Sequence, residues 1–95
     1  VKSLLFAPAA QGDLAAIWRY SAERWGVRQA DRYTDDIRDA CQALTTGACR
    51  GRLADVRPNY LKYAIGMHVI YFRDYADQLK VIRILHGKMD VSRHL

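Results

Sequence analysis

Small and apolar side chains at Ala10, Leu14, Ile17, Trp18, Ser21, Ala22 and Trp25 recur at steps of three and four, which gathers them into one stripe of an amphipathic helix. Gly26 follows the last member, where a left-handed residue commonly ends a helix. Ala30, Tyr33, Ile37, Ala40, Cys41 and Leu44 repeat the spacing, with Arg28, Arg32, Asp35, Arg38 and Asp39 on the other faces, and predict a second helix ending near Gly47. So short a link folds the two helices back as an αα-hairpin whose stripes share one core.

Val1–Phe6 alternates weakly and predicts a short strand, with Pro8 placed in the first turn of the helix that follows. Ala48–Asn59 has no period and carries Gly51, Pro58 and several charges, so it predicts a long loop, a kind of segment that often carries function. Tyr60–Ile65, His68–Arg73 and Leu79–His86 are rich in β-branched and aromatic residues and predict three strands. Gly66-Met67 suits a type II′ hairpin turn, while Asp74–Gln78 is long enough to bulge. Consecutive strands are therefore antiparallel. Leu79, Val81, Arg83 and Leu85 alternate with Lys80, Ile82, Ile84 and His86, so the last strand is partly apolar on both faces, as in mid-sheet. The expected fold is α+β, ordered β-α-α-β-β-β, with the helix hairpin packed on a mainly antiparallel four-stranded sheet. If the loop does not reverse the chain again, the first strand runs against Tyr60–Ile65 and Leu79–His86, free to pair with either. Gly87–Leu95 is too polar for a core strand and too apolar for a solvated end, which suits a docking role.

Ninety-five residues suffice for a single domain, 1–95, and the balance of 51% apolar and 26% charged residues is that of a folded chain. With no apolar run near the length that spans a bilayer, no membrane role is expected and the cytoplasm is the expected compartment. A net charge of +5 attracts nucleic acid, anionic surfaces or an acidic partner without choosing among them. Cys41 and Cys49 match no metal or redox spacing, and Cys41 reads as a small core residue. His86, Asp90 and His94 have no recognised metal-ligand spacing either, so neither metal nor cofactor is expected.

Four stretches, taken together, resemble the ParE branch of the RelE/ParE toxin superfamily: APAAQGDLAAIWRY at Ala7–Tyr20, WGVRQADRY at Trp25–Tyr33, RPNYLKYAIGMHVIYF at Arg57–Phe72 and VIRILHGKMDVSRHL at Val81–Leu95. Arg83-Ile84-Leu85-His86 followed by Met89-Asp90 is similar to the branch's closing signature. The resemblance implies the toxin of a ParDE type II toxin–antitoxin pair. Such a toxin inhibits DNA gyrase by binding, has no catalytic residues of its own, and is neutralised by a ParD antitoxin in a hetero-oligomer that contacts DNA only through the antitoxin. Under that resemblance Trp18, Trp25, Arg50, Arg52, Arg57, Lys62 and Arg83 are the expected antitoxin-binding residues. His86, Lys88, Met89, Asp90, Arg93, His94 and Leu95 are those expected to bind the target.

Plainer roles stand beside these. Trp18 and Trp25 suit core packing, with Trp25 alternatively an exposed anchor; His68 and His86 suit satisfied polar groups at strand ends; the basic loop suits a solvated surface. The RelE branch of the same superfamily cleaves mRNA on the ribosome, and His86 with Arg83 would be its base and cation here. Against it, no tyrosine follows Tyr75 and the only glutamate is Glu23, on the first helix. An exposed apolar groove implies that the isolated chain is of low stability and gains from its partner by mass action.

Overall fold

The computed structural model describes residues 2–95, so the expected strand start at Val1 lies outside the described residues. Strand β1 is Ser3–Phe6, helix α1 Pro8–Trp25 and helix α2 Val27–Thr46; β2 (Arg52–Leu53), β3 (Leu61–Ile65), β4 (His68–Asp74) and β5 (Gln78–His86) follow, and the tail makes a single 3₁₀ turn at Val91–Arg93. Pro8 opens α1, where its missing N–H costs no hydrogen bond. Gly26, at φ 95°, is the whole link between the helices, and its N–H donates to the Ala22 carbonyl at 3.0 Å.

Helix α1 buries Ala10, Leu14, Ile17 and Ser21, and α2 buries Ala30, Thr34, Ile37, Ala40, Cys41, Leu44 and Thr45. Thr34 is polar yet fully covered, and its hydroxyl donates to the Ala30 carbonyl at 2.9 Å, which removes the cost of burying it. Burial pushes the Cys41 thiol up to about 12, so it stays a neutral core residue. Trp25 departs from the expected stripe. It is the last residue of α1, directly before the Gly26 link, and is 55% exposed.

The sheet has five strands in the order β1-β5-β4-β3-β2, and it is mixed. This corrects the expected four-stranded antiparallel sheet on two counts with one cause. The long loop does reverse the chain: β2 pairs antiparallel with β3 through Arg52 opposite Lys62 and Leu53 opposite Leu61. That extra reversal turns β3 and β5 to run with β1 rather than against it. Strand β1 consequently pairs with β5 in parallel, Ser3 with Gln78 through Phe6 with Val81, at the sheet edge. Parallel pairing is open to it because the two helices and the loop supply the crossover that such a pair requires.

The regular alternation expected of β5 is also broken. Tyr71 faces Arg83 and Phe72 faces Val81, so Ile82 is the extra residue of a bulge. The bulge puts Leu79, Val81 and Ile84 on the helix side, in one core with Ile70, Phe72 and Ile37. Arg83 falls out of that core, and Leu85 turns to the opposite face. There Leu85 and Tyr71 form a second, smaller core covered by Ala54, Val56 and Tyr60 of the loop and by Val91 and Leu95 of the tail. Both faces of the central strands are covered, one by the hairpin and one by the loop and the tail.

Candidate functional site

Strand β1 pairs only with Gln78–Val81, which leaves the rest of β5 without a strand on the edge away from β4. Helix α1 fills that place. The Asp13 carboxylate accepts from the Ile84 backbone N–H at 2.8 Å, and from Arg83 Nε and Nη2 at 2.8 Å each. Arg83 Nη1 donates to the His94 carbonyl at 3.3 Å. One half-buried carboxylate thus satisfies a strand edge, and through Arg83 it holds the tail. Asp13, first by its hydrogen bond and also by its charge, raises the guanidinium's pKa against the opposing effect of burial.

Beyond Asp13, toward the end of α1, the molecule opens into two adjoining cavities. One, of about 340 Å³, lies between the helix hairpin and the β3–β4 turn and is walled by Tyr20, Trp25, Tyr33, Met67, His68 and His86. The other, of about 270 Å³, continues along α1 past Ile17 and Ile84 to Met89 and shares Tyr20, His68 and His86 with the first. Tyr20, Trp25, Met67 and Met89 are all exposed there, a concentration of large apolar groups that marks a binding surface. Tyr20 meets Trp25 edge-on, with centroids 6.2 Å apart, and the Arg24 guanidinium lies 5.5 Å and 5.8 Å from their rings.

The back wall is polar. The Tyr33 hydroxyl lies 2.6 Å from His68 Nδ1 and accepts from the Met67 N–H at 3.2 Å. His68 and His86 are register partners on β4 and β5, with rings 5.4 Å apart, and His86 Nδ1 accepts from the Lys88 N–H at 3.1 Å. Burial first, and then the neighbouring His86, push the His68 pKa down, with Asp13 opposing. Burial raises the Tyr33 phenol, partly offset by the Met67 N–H. Gly66 supports this wall: its φ is 55° while Met67 has no positive φ, as a type II′ turn requires. A Cβ at Gly66 would stand 2.8 Å from the Tyr33 ring.

The residues expected from sequence divide among separate places. Trp25, His86 and Met89 come together in the groove. Trp18 is half-buried, its indole N–H donating to Asp31 at 2.8 Å. Arg50, Arg52 and Lys62 lie around β2 and the start of β3, with Arg52 directly opposite Lys62, and Arg57 is exposed in the turn between those strands. Arg83 is engaged by Asp13. In the tail, Asp90 accepts from the Ser92 N–H and hydroxyl at 3.2 Å and 2.7 Å and lies 3.6 Å from Arg93, while Lys88 is exposed. His94 and Leu95 are half-buried, Leu95 against the sheet. Sequence reasoning missed Tyr20, Tyr33, Met67 and His68 as groove residues. Tyr20 is left out of the α1 stripe, and that is the one signal that could have marked it as a surface aromatic.

Residues 4–91 match the family model described as ParE toxin of type II toxin-antitoxin system, parDE. The chain is 38% identical over 93 residues to Toxin ParE1 of Mycobacterium tuberculosis, covering 96% of this chain and 95% of that one. It is 33% identical over 87 residues to Toxin ParE1 of Caulobacter vibrioides, covering 90% of each. A solved structure titled "Chromosomal ParDE TA system from P. aeruginosa" superposes with a TM-score of 0.79 at 21% identity, over 90% of this chain and 95% of that chain, and so shares the fold.

Proposed function

The chain belongs to the ParE toxin family of type II toxin–antitoxin systems, and from that premise we propose that it arrests growth by docking on DNA gyrase and is silenced by a ParD-type antitoxin seated in the α1 groove. The observation that carries this reading is the run of exposed Tyr20, Trp25, Met67 and Met89 along two joined cavities. An apolar trough with Arg24 and Lys88 near it suits an amphipathic, acidic segment that orders on binding. Burying the aromatic anchors is where most of the affinity would come from. The exposed part of the tail, Lys88 to Asp90 with Arg93, is the expected target contact, positioned by the Asp13–Arg83–His94 chain. In this reading Arg83 works as a structural anchor, and the chain works by association without making or breaking covalent bonds.

The test is reconstitution. Purified chain added to gyrase and relaxed plasmid should block supercoiling or accumulate cleaved complexes, and antitoxin should relieve the effect. Unchanged gyrase activity at full toxicity would overturn the target. One observation favours a second reading, RNA cleavage in the manner of the RelE branch: Tyr33, His68 and His86 stand together as groups able to move protons. Transcript-end mapping after induction separates the two, since codon-phased cuts belong only to a ribosome-dependent nuclease.

A further inference from the structure

His68 and His86 share the groove wall, and each ring is engaged in a hydrogen bond at Nδ1. His86 Nδ1 accepts from the Lys88 backbone N–H, so neutral His86 is protonated on Nε2. The Tyr33 hydroxyl accepts from the Met67 N–H and lies 2.6 Å from His68 Nδ1 but 3.4 Å from the Ile65 carbonyl. With the hydroxyl proton directed to His68, neutral His68 carries its N–H on Nε2; as an imidazolium His68 carries an Nε2–H in any case, the Tyr33 proton then going to the Ile65 carbonyl. Among the described residues neither Nε2 has a hydrogen-bond partner, and no partnerless side-chain nitrogen or oxygen is buried. Both N–H groups thus reach the surface of the groove, whose two cavities both rings line.

Two such donors beside Tyr20, Trp25 and Met67 call for an acceptor. A metal ion would need the opposite tautomer, and in His86 that would set an Nδ1–H against the Lys88 N–H. We propose that His68 and His86 form a carboxylate-binding site that takes one Asp or Glu side chain of the antitoxin's docking segment, while Trp25 and Met67 take an apolar neighbour of that residue. The proposal rests on the antitoxin occupying this groove. Charge complementarity selects the occupant: Arg24 lies over Tyr20 and Trp25, Lys88 follows His86 by two residues, and the chain carries +5. The groups facing the pair are Tyr33 from α2 and Tyr20 and Asp13 from α1, with the Lys88 backbone N–H of the tail on His86; Asp13 is already paired with Arg83. A bound carboxylate favours the imidazolium, so binding takes up protons and tightens as pH falls.

The experiment uses the full chain and the C-terminal peptide of the antitoxin that copurifies with it. Calorimetry should show binding about tenfold tighter at pH 6 than at pH 8. The His68→Gln, His86→Gln double variant keeps amide donors but cannot titrate, and its affinity should not vary with pH. One acid-to-amide substitution in the peptide should abolish the pH dependence of the unaltered chain, a readout that needs no toxin variant to fold. On binding, ¹⁵N spectra of the two imidazoles should show their titrations moving to higher pH. If the Met67 methyl shifts while the titrations and every peptide amide variant stay unmoved, the groove stands and the carboxylate site is overturned. If Met67 does not shift, both fall. If inorganic phosphate moves the titrations as far as the peptide does, the site takes phosphate and the antitoxin assignment fails.

Discussion

Removing the Asp13 carboxylate separates stability from recognition in this molecule. In the Asp13→Ala variant, Arg83 loses two charge-assisted hydrogen bonds and the Ile84 N–H loses its acceptor. The pair is 21% and 14% exposed, so water returns part of the solvation. Breaking one partner of a fully buried pair costs about 3–5 kcal/mol, and a hydrogen bond to a charged group contributes about 1.5–3 kcal/mol. At this exposure a loss of roughly 2–4 kcal/mol is expected, a large share of the ~5–15 kcal/mol that holds a small domain together. At about 4–8 °C per kcal/mol, the melting temperature should fall by at least ~8 °C. Asp13→Asn keeps an acceptor for the Ile84 N–H and should lose less. Urea unfolding of both variants, with hydrogen exchange at Ile84 and along Val91–Leu95, is the assay. A change under about 0.5 kcal/mol for Asp13→Ala, or a tail that stays protected, would refute the view that this carboxylate holds the strand edge and tail.

Further outcomes follow from the same structure. Trp25→Ala should leave the unfolding free energy within about 0.5 kcal/mol yet weaken antitoxin binding by more than ~1 kcal/mol, measured by calorimetry. Ile37→Ala, in the fully buried core, should cost about 2–5 kcal/mol in urea unfolding. Gly66→Ala combines a left-handed φ with a Cβ 2.8 Å from Tyr33, so it should destabilise by roughly 1–3 kcal/mol and break the Tyr33–His68 bond, seen as a shifted His68 resonance. His68 has a folded pKa below its unfolded value, so its neutral form is favoured in the fold. That stability is fully present above the unfolded pKa and lost as pH falls toward the folded one. Between pH 7.5 and pH 5.5 the chain should therefore lose stability that His68→Gln does not lose.

Both helices, the meander and the family were legible in the sequence, because each is written in local periodicity or short contiguous motifs. The two-residue β2 was not, since two residues have no period, and missing its reversal was enough to set β1 antiparallel. The bulge at Ile82 was hidden by a run apolar on both faces, and it decides which way Arg83 and Leu85 point. The groove depends on pairings across long separations, Tyr33 with His68 and Asp13 with Arg83, that spacing cannot reveal. Tyr33 reads as a stripe residue and Arg83 as a free cation until their partners are known. Trp25 shows the limit of the stripe itself, because periodicity names a face but not how much of it is covered at the helix end.

Oxidative footprinting of the toxin alone and with its antitoxin locates the recognition surface, since exposed methionine and aromatic side chains report directly on solvent access. Met67, Trp25 and Tyr20, at 59%, 55% and 55% exposure, should lose most of their reactivity in the complex, while Tyr75, just past the end of β4, should keep its own. Unchanged oxidation of the three, with protection confined to Tyr75 and the loop around Leu53, would place the antitoxin elsewhere and contradict the groove.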